Sequence, residues 1–254
     1  MPKRPDLITL KPTPKHGLAR VLSKQGICSR TQATSWIIAG RVSLNGQVQR
    51  NPEHPTDLQR ARISIDGVAV QAAMRVYIAL NKPRSLIVST ADEKGRDTIY
   101  SLLADARLPW LAPVGRLDKA SEGLLLLSND PQWAAGITEP SYQLHKTYHV
   151  QISSLPDQEV LAAMVRGVSA DDEHLAAVSA RLLRSGDKNA WLEIVLDEGR
   201  NRHIRRLLAA LGHDVLRLVR VAIGPVKLGE LAKGQWRYLT AHEVQQLGKA
   251  AVNK

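Results

Sequence analysis

Apolar residues recur with a helical period near the start of the chain and with a strand-like period after it. An apolar stripe over 18–22 and a second one that follows the capping residue Ser29 predict two short helices. The Asn-Gly pair at 45–46 predicts a two-residue hairpin, and the Asp-Gly pair at 66–67 marks another turn. Up to about residue 72, the pattern therefore predicts a helix pair and a small curled sheet.

A longer, strand-rich unit is expected from Val76 onward. Strands are predicted over 76–80, 86–89, 124–128, 146–152, 176–183, 191–197, 215–222 and 236–239. The strand at 86–89 is expected to be the hairpin partner of the one at 76–80. Helices are predicted to open at Asp97 or Thr98, Asp130, Asp157, Asn201 and Thr240. Because the strands outnumber the helices and rarely alternate with them strictly, we expect an α+β fold around a large, mainly antiparallel mixed sheet. The predicted organisation is a tail over 1–15, a module over 16–72 and a larger domain over 76–254.

The chain is strongly basic, and the excess charge is concentrated near its start. Its 254 residues include 35 Lys and Arg against 24 Asp and Glu, which gives a formal net charge of +11. Residues 1–75 hold twelve of the basic residues and four of the acidic ones, a net charge of +8. Such an excess favours a polyanionic partner, although charge does not determine fold. Four prolines and the lack of any helical or strand period make 1–15 a predicted flexible basic tail.

Two features of composition narrow the class of protein. Cys28 is the single cysteine, which excludes an internal disulfide and a cysteine-rich zinc site, and we expect no metal. No apolar run approaches the roughly 18 residues of a membrane-spanning helix, and the basic N-terminus lacks the apolar segment of a secretory signal. We therefore expect a protein of the reducing cytoplasm.

The stretch with the most chemical information begins at Gly115 and reads GRLDKASEGLLLLSND. It places Asp118 in a glycine-entered loop, just before an apolar run that predicts a fully buried strand. Arg116 and Lys119 lie beside the carboxylate and could hold a phosphate nearby. The spacing alone favours a turn residue or a solvated ion pair at Asp118 over a reactive carboxylate, because perturbed carboxylates are often structural.

Two further clusters carry candidate chemistry. Lys146 and Tyr148 are two residues apart in a predicted strand and therefore share one face, although a half-buried core tyrosine fits the same pattern. The later run EGRNRHIRRL places Arg202, Arg205 and Arg206 on one face of a predicted helix. Clustered guanidinium groups at a helix N-terminus suit phosphate or carboxylate. A solvated basic face and a buried ion pair with the loop carboxylate both remain open.

Four basic residues of the first module could form one basic face. Arg20 and Lys24 are one turn apart on the first predicted helix, and Arg30 and Arg41 lie at the two ends of the second. A solvated helix surface would show the same pattern, and the helix pair could also be a DNA-reading helix-turn-helix. The Asn-Gly hairpin directly after the second helix argues against a helix-turn-helix.

Longer stretches of the sequence resemble known families. SRTQATSWIIAGRVSLNG, which begins at Ser29, resembles the small RNA-binding module first recognised in a small-subunit ribosomal protein. GRLDKASEGLLLLSND, KTY and EGRNRHIRRL with the later RLVRVAIG resemble the motifs of the ribosomal RNA pseudouridine synthases. The RsuA/RluB-type branch of that family couples this module to the catalytic domain. The resemblance covers about Leu18–Thr240.

The resemblance implies a role for each candidate residue. Asp118 would be the nucleophile, Tyr148 would stack on the target base, and Arg205 would pair with the Asp118 carboxylate. RNA contacts would come from Arg116, Lys146 and Arg202 and from the four basic residues of the module. The family needs no metal or organic cofactor. The expected partner is ribosomal RNA, free or in a pre-ribosomal particle, and large-subunit RNA is favoured over small-subunit RNA. The enzyme is expected to be a monomer.

A binding protein is the competing interpretation. A ribosome-assembly factor could keep the RNA-binding module and lose catalysis. Loss of Asp118, Tyr148 or Arg205 would favour such a factor, and the chain has all three. The sequence therefore favours the enzyme.

Overall fold

The computed structural model describes residues 15–58, 60–89, 95–139 and 144–250, with the backbone only for 249–250. These residues fall into two compact units, one that ends at Met74 and one that begins at Arg75. Of the predicted basic tail, only Lys15 lies within the described residues, and it begins the first strand instead. In the described part of the chain, no helix combines the length and apolar character that a membrane crossing needs.

The first unit is a helix pair with short antiparallel strands. Its elements are β1 (Lys15–Gly17), α1 (Leu18–Lys24), α2 (Arg30–Ile38), β2 (Val42–Leu44), β3 (Gln47–Val48), β4 (Pro55–Asp57), β5 (Ile63–Ile65) and β6 (Val68–Ala69). The strand order is β3-β2-β5-β6, and β1 pairs with β4. Both predicted turns are confirmed. Asn45 and Gly46 have φ angles of 51° and 86°, and Asp66 and Gly67 have 50° and 82°, as a type I′ hairpin requires.

The predicted cap and core of this unit are also confirmed. Ser29 Oγ accepts a hydrogen bond from Gln32 N at 3.0 Å and caps α2. The apolar faces of α1 and α2 pack together, with Leu22 and Ile37 fully buried. Cys28 lies in the same core, where burial raises the pKa of its thiol to about 11. Cys28 is therefore a structural residue and not a reactive one.

In its described residues, the second unit is built on a mixed sheet of nine strands. The strands of this sheet are β7 (Tyr77–Lys82), β8 (Ala112–Val114), β9 (Glu122–Ser128), β10 (Lys146–Ile152), β13 (Ser179–Ser185), β14 (Ala190–Leu196), β15 (Val215–Ile223), β16 (Val226–Lys227) and β17 (Trp236–Tyr238). A separate hairpin consists of β11 (Val168–Ala170) and β12 (Glu173–Leu175). The helices are a 3₁₀ helix (Ile99–Leu103), α3 (Pro131–Thr138), α4 (Gln158–Arg166), α5 (His203–Ala210) and α6 (Ala241–Ala250).

The order of the strands confirms the predicted fold class. The main order is β13-β14-β10-β15-β9-β7-β17, with β8 beside β9 and β16 beside β15. The pair of β15 and β9 is parallel, and the other pairs of this sheet are antiparallel among the described residues. The fold is therefore α+β around a mainly antiparallel mixed sheet, joined to a small helical and β-hairpin unit.

The apolar run of β9 is buried on both faces of the sheet. Leu124 and Leu126 pack on one face with residues of α3 and α6, and Leu125 and Leu127 pack on the other with residues of α4 and α5. A strand that is covered on both sides has a continuous apolar run, as the sequence predicted here. In β10 the predicted alternation is confirmed, since Tyr148 and every second residue after it are buried on the α4 and α5 side.

Several local predictions depend on a single capping residue, and most of these are confirmed. The side chains of Thr98, Asp130, Asp157 and Thr240 each accept a hydrogen bond from the first turn of the helix that follows. The helix start predicted at Asn201 is wrong. Arg202, with φ of 50° and ψ of 29°, directly precedes α5 and makes no side-chain cap.

One strand prediction is also wrong. Residues 86–89 were expected to pair with 76–80, but β7 pairs with β9 and β17, and Ile87 makes only an isolated bridge with Thr98. Ser85 has φ of 75° and its amide donates to Lys119 O at 2.8 Å, so the chain turns toward the Asp118 loop. The strand predicted near 176–183 is confirmed with shifted bounds, as β13.

Candidate active site

The three predicted catalytic residues border one cavity of about 450 Å³ in the second unit. Asp118 follows β8, Tyr148 lies in β10 and Arg205 lies in α5. The predicted RNA contacts that border the same cavity are Arg116, Lys146 and Arg202. A cavity of this size can hold a group as large as a nucleotide base and sugar.

The Asp118 loop, residues 115–121, connects β8 to β9. Gly115 enters the loop with φ of 79°, a conformation that favours glycine. Ser121 N donates to Asp118 O at 2.9 Å and closes a tight turn. Leu117 is buried and anchors the loop, whereas Asp118 is half-buried and Arg116 is exposed. The loop thus holds Asp118 at the cavity while Arg116 stays open to solvent.

Lys82 is a buried cation beneath this loop that the sequence analysis missed. Its side chain has no exposed surface, and Nζ donates to Pro83 O at 3.0 Å, Asp118 O at 3.2 Å and Ser121 O at 2.9 Å. Burial lowers the pKa of Lys82 to about 8, although the charges of Asp118 and Glu122 oppose this change. In the sequence, Asn-Lys-Pro marks only the end of a strand. Two of the three hydrogen bonds hold the loop backbone, one at the nucleophile candidate itself and one three residues after it.

Tyr148 and Lys146 share the cavity side of β10, as predicted. Tyr148 is 7% exposed and lies opposite Ile194 of β14 and Arg220 of β15. Lys146 Nζ donates to Asp197 O at 3.4 Å. Burial, reinforced by the charge of Arg220, lowers the pKa of Lys146. Tyr148 therefore belongs to the core and also forms part of the cavity wall.

The predicted ion pair between Arg205 and Asp118 is not formed in this structure. Both residues lie in the described part of the chain, and no direct salt bridge joins them there. Arg205 Nη1 donates to Val215 O at 3.2 Å and Nη2 donates to Ala120 O at 3.3 Å, so backbone carbonyls occupy these donors. Burial lowers the pKa of Arg205, as does the charge of Arg202, and Asp118 opposes this change. Asp118 thus acts on Arg205 electrostatically without contact.

The other two arginines of the predicted helix face have different surroundings. Arg202 is exposed at the start of α5 and borders the cavity. Arg206 binds Asp171 Oδ2 through Nε at 2.7 Å and Glu173 through Nη1, so it ties α5 to the hairpin of β11 and β12. Arg206 therefore has a structural role, and Arg205 on the same predicted helix face has different partners.

Arg220 is a second buried cation at the cavity that the sequence analysis did not single out. It lies in β15 and is 5% exposed. Its Nε donates to Leu124 O at 2.7 Å, and Nη1 reaches Arg116 O at 3.5 Å. In the sequence, Arg220 is one of several arginines in an alternating strand, where a charged residue usually marks the solvent face. No local signal distinguishes it.

Two of the four predicted RNA contacts in the first unit are engaged with acids. Arg30 binds Glu53 at 3.1 Å, and Arg41 binds both carboxylate oxygens of Asp66. Exposed pairs of this kind contribute little to stability, so the arginines can exchange the acid for a phosphate at small cost.

The other two predicted contacts lie one turn apart on α1. Arg20 is exposed, and Lys24 Nζ lies 2.9 Å from His16 Nε2. Within the described ranges of both units, no group of three His, Cys, Asp or Glu side chains is arranged to hold a metal ion.

Comparison with known proteins covers both units. A family model described as RNA pseudouridylate synthase matches residues 76–210, and an S4 domain model matches residues 17–57. The chain is 40% identical over 233 residues to an "Uncharacterized RNA pseudouridine synthase" of Aquifex aeolicus, covering 91% of this chain and 93% of the relative. It is 34% identical to "Ribosomal large subunit pseudouridine synthase B" of Bacillus subtilis, covering 91% and 94%.

A solved structure gives the same result. The crystal structure of a pseudouridylate synthase matches with a TM-score of 0.65 and 30% identity, covering 91% of this chain and 99% of that one. The resemblance to the RsuA/RluB-type enzymes with their RNA-binding module is confirmed, and the chain belongs to the RNA pseudouridine synthase family.

Proposed function

We propose that the protein converts one uridine of large-subunit ribosomal RNA to pseudouridine, with Asp118 as the nucleophile. The observation that carries this proposal is the convergence of Asp118, Tyr148 and Arg205 on one cavity. Support for the large subunit comes from the relative in Bacillus subtilis, whose name states that subunit.

The reaction moves the glycosidic bond from a nitrogen to a carbon of the same base. The bond between uracil N1 and ribose C1′ breaks, the base turns, and C5 joins C1′, while C5 loses a proton and N1 takes one up. The Asp118 carboxylate can add to ribose C1′ or to uracil C6, and both routes remain open. In either route Asp118 must be ionised to attack and must leave again, so an amide cannot replace it.

Tyr148 supplies a surface for the displaced base. The target uridine must leave its stack to reach the cavity, which costs a few kcal/mol. Stacking on Tyr148 offsets roughly 1–3 kcal/mol of that cost. Arg205 holds the Asp118 loop through Ala120 O, at 3.3 Å.

The acids around the cavity favour isomerisation over hydrolysis. A glycosidase needs a second carboxylic acid to protonate the leaving group. Glu122 is 1% exposed and binds Arg217 at 3.1 Å and Lys233 at 2.6 Å. Burial raises the pKa of Glu122, but the hydrogen bonds from Arg217 and Lys233 outweigh it and keep the pKa below its usual value. Glu198, which borders the cavity, is paired with Arg200 at 2.8 Å. Both acids are committed to cations, and Glu122, with its lowered pKa, is a poor proton donor.

The substrate is ribosomal RNA, free or in a pre-ribosomal particle, and the enzyme works as a cytoplasmic monomer without metal or organic cofactor. Phosphate contacts position the RNA without reading its sequence. In the second unit they come from Arg116, Lys146 and Arg202, and in the first from Arg20, Lys24, Arg30 and Arg41.

Replacement of the nucleophile tests the proposal. Asp118→Asn should bind RNA normally but form no pseudouridine, because the amide is neither an anion nor a nucleophile. The measurement is tritium release from ribosomal RNA labelled at C5 of uridine. Asp187→Asn, at an exposed position, is the control and should keep full activity.

The outcomes separate the alternatives. Appreciable release by Asp118→Asn would exclude Asp118 as the nucleophile. No release by the wild-type protein on either ribosomal RNA would favour the non-catalytic assembly factor. Carbodiimide mapping with reverse transcription, in a strain that lacks the gene, would identify the target uridine and its subunit.

A further inference from the structure

Arg220 lies between the strand that carries Tyr148 and the strand that leaves the Asp118 loop. In the sheet, β15 pairs with β10 on one side, where Arg220 faces Tyr148, and with β9 on the other, where Arg220 faces Gly123. The residue also borders the cavity. Its backbone therefore links the two elements that the proposed reaction must hold at a fixed distance.

The side chain of Arg220 connects the start of the Asp118 loop with β9, the strand that follows the loop. Nε donates to Leu124 O at 2.7 Å, after the loop, and Nη1 reaches Arg116 O at 3.5 Å, before the nucleophile candidate. A guanidinium is a rigid planar fork and can hold two acceptors at a set separation, whereas an ammonium group on a flexible stem cannot.

Packing alone does not account for a charge at this position. Among the described residues, no carboxylate forms a salt bridge with Arg220, and its Nη2 is buried without a hydrogen-bond partner. A hydrophobic side chain of similar volume would often serve the stability of the fold equally well or better. The arginine is thus better explained by what it holds than by what it contributes to the core.

We propose that Arg220 is a positioning residue, which fixes the start of the Asp118 loop and the following strand, β9, relative to Tyr148. This inference rests on the proposed role of Asp118. Arg220 acts through the geometry of the loop, so its loss should lower kcat much more than it changes KM. A displacement of about 1 Å at a reacting group can reduce the rate by about 100-fold.

The test compares Arg220→Ala and Arg220→Lys with Arg184→Ala. Arg184 is an exposed arginine of β13 that stacks on Trp191, so its removal takes the same charge from the same sheet. In the tritium-release assay, Arg220→Ala should lose about 100-fold in kcat with little change in KM, and Arg220→Lys about 10-fold, because lysine keeps the charge but not the fork. Arg184→Ala should match the wild type.

Chemical rescue separates positioning from a general loss of stability. Methylguanidinium should restore at least about 10-fold of the kcat of Arg220→Ala, since it can refill the fork, whereas methylammonium should not. Amide hydrogen exchange over 116–124 should be faster in Arg220→Ala than in the wild type and unchanged in Arg184→Ala.

Several results would overturn the proposal. They are a folded Arg220→Ala variant with near-normal kcat, a folded variant that methylguanidinium does not rescue, or unchanged exchange over the loop. If Arg220→Ala does not fold, wild-type kcat in Arg220→Lys would overturn it equally. A wild-type protein that forms no pseudouridine would contradict the proposed function instead, and the exchange experiment would still test the hold of Arg220 on the loop.

Discussion

At the scale of single residues, the Asp118 loop is held by its backbone and not by its carboxylate. Lys82, Arg205 and Arg220 each donate to carbonyl groups within the loop. Contacts of this kind fix the position of Asp118 while leaving its carboxylate oxygens available to a substrate. Such preorganisation from supporting side chains is what a reactive group needs for precise placement.

The contacts of Arg205 lead to a prediction about stability. Arg205→Met should lower activity and the free energy of unfolding, the latter by about 1–3 kcal/mol, because Ala120 O and Val215 O lose their donor. The effects of Arg205→Met and Asp118→Asn on stability should be nearly additive, since no salt bridge joins the two side chains. Thermal melts of both single variants and the double variant measure this.

Non-additive effects of the two substitutions on stability would contradict this prediction. A buried ion pair, as expected from the sequence, would leave one charge stranded in each single variant. The double variant would then recover stability that each single variant had lost. Such recovery would show that Arg205 and Asp118 do pair in solution.

At the scale of elements, the parallel pair of β9 and β15 determines the geometry of the site. Gly123 lies opposite Arg220 with φ of 100°, and a Cβ at Gly123 would lie 2.3 Å from Arg220 O. The two backbones can therefore approach only because this residue is glycine. This close approach brings the side chain of Arg220 to the Asp118 loop.

Gly123→Ala should accordingly be costly. It combines backbone strain of about 1–2 kcal/mol with displacement of a neighbouring strand, about 1–3 kcal/mol more. Gly212→Ala is the matched control, because Gly212 also has a positive φ, of 81°, but nothing within 4 Å of an added Cβ. Chemical denaturation of both variants should show the larger loss for Gly123→Ala, together with reduced kcat. Equal losses would mean that strain alone acts at Gly123.

At the scale of the whole molecule, most of the excess positive charge lies in the first unit, and the candidate catalytic residues lie in the second. Residues 1–74 carry a net charge of +7, which leaves +4 for the second unit. Each unit has its own buried core among the described residues. The second unit should therefore fold without the first, and the first should contribute mainly to RNA affinity.

Removal of residues 1–72 tests this division. The truncated protein should bind ribosomal RNA more weakly, and each lost phosphate contact should reduce the slope of log K against log salt by about 0.7–0.9. Filter-binding titrations over a range of salt give the slope, and circular dichroism checks the fold. In the full chain, Arg20→Gln with Lys24→Gln should give a smaller change of the same sign. A slope unaffected by the truncation would show that the first unit does not contact RNA.

The features that could be predicted from the sequence have signals that lie within a few neighbouring residues. The turns at 45–46 and 66–67, the cap at Ser29 and the alternation of β10 depend on neighbouring residues, and the structure confirms them. The family could also be predicted, because its motifs are short and contiguous. The prediction at 86–89 failed for the same reason. The run after Pro83 has a strand-like pattern, but its pairing depends on residues that are distant along the chain.

Which cations serve the site could not be predicted, because it depends on the pairing of distant strands. Lys82 and Asp118 are 36 residues apart, and Arg220 and Leu124 are 96 apart, so these contacts exist only once β7, β9 and β15 pair. In the sequence, a buried lysine or arginine looks the same as a solvated one. Its burial and its hydrogen-bond partners come from strands distant along the chain, and these decide whether the charge faces water or holds the Asp118 loop.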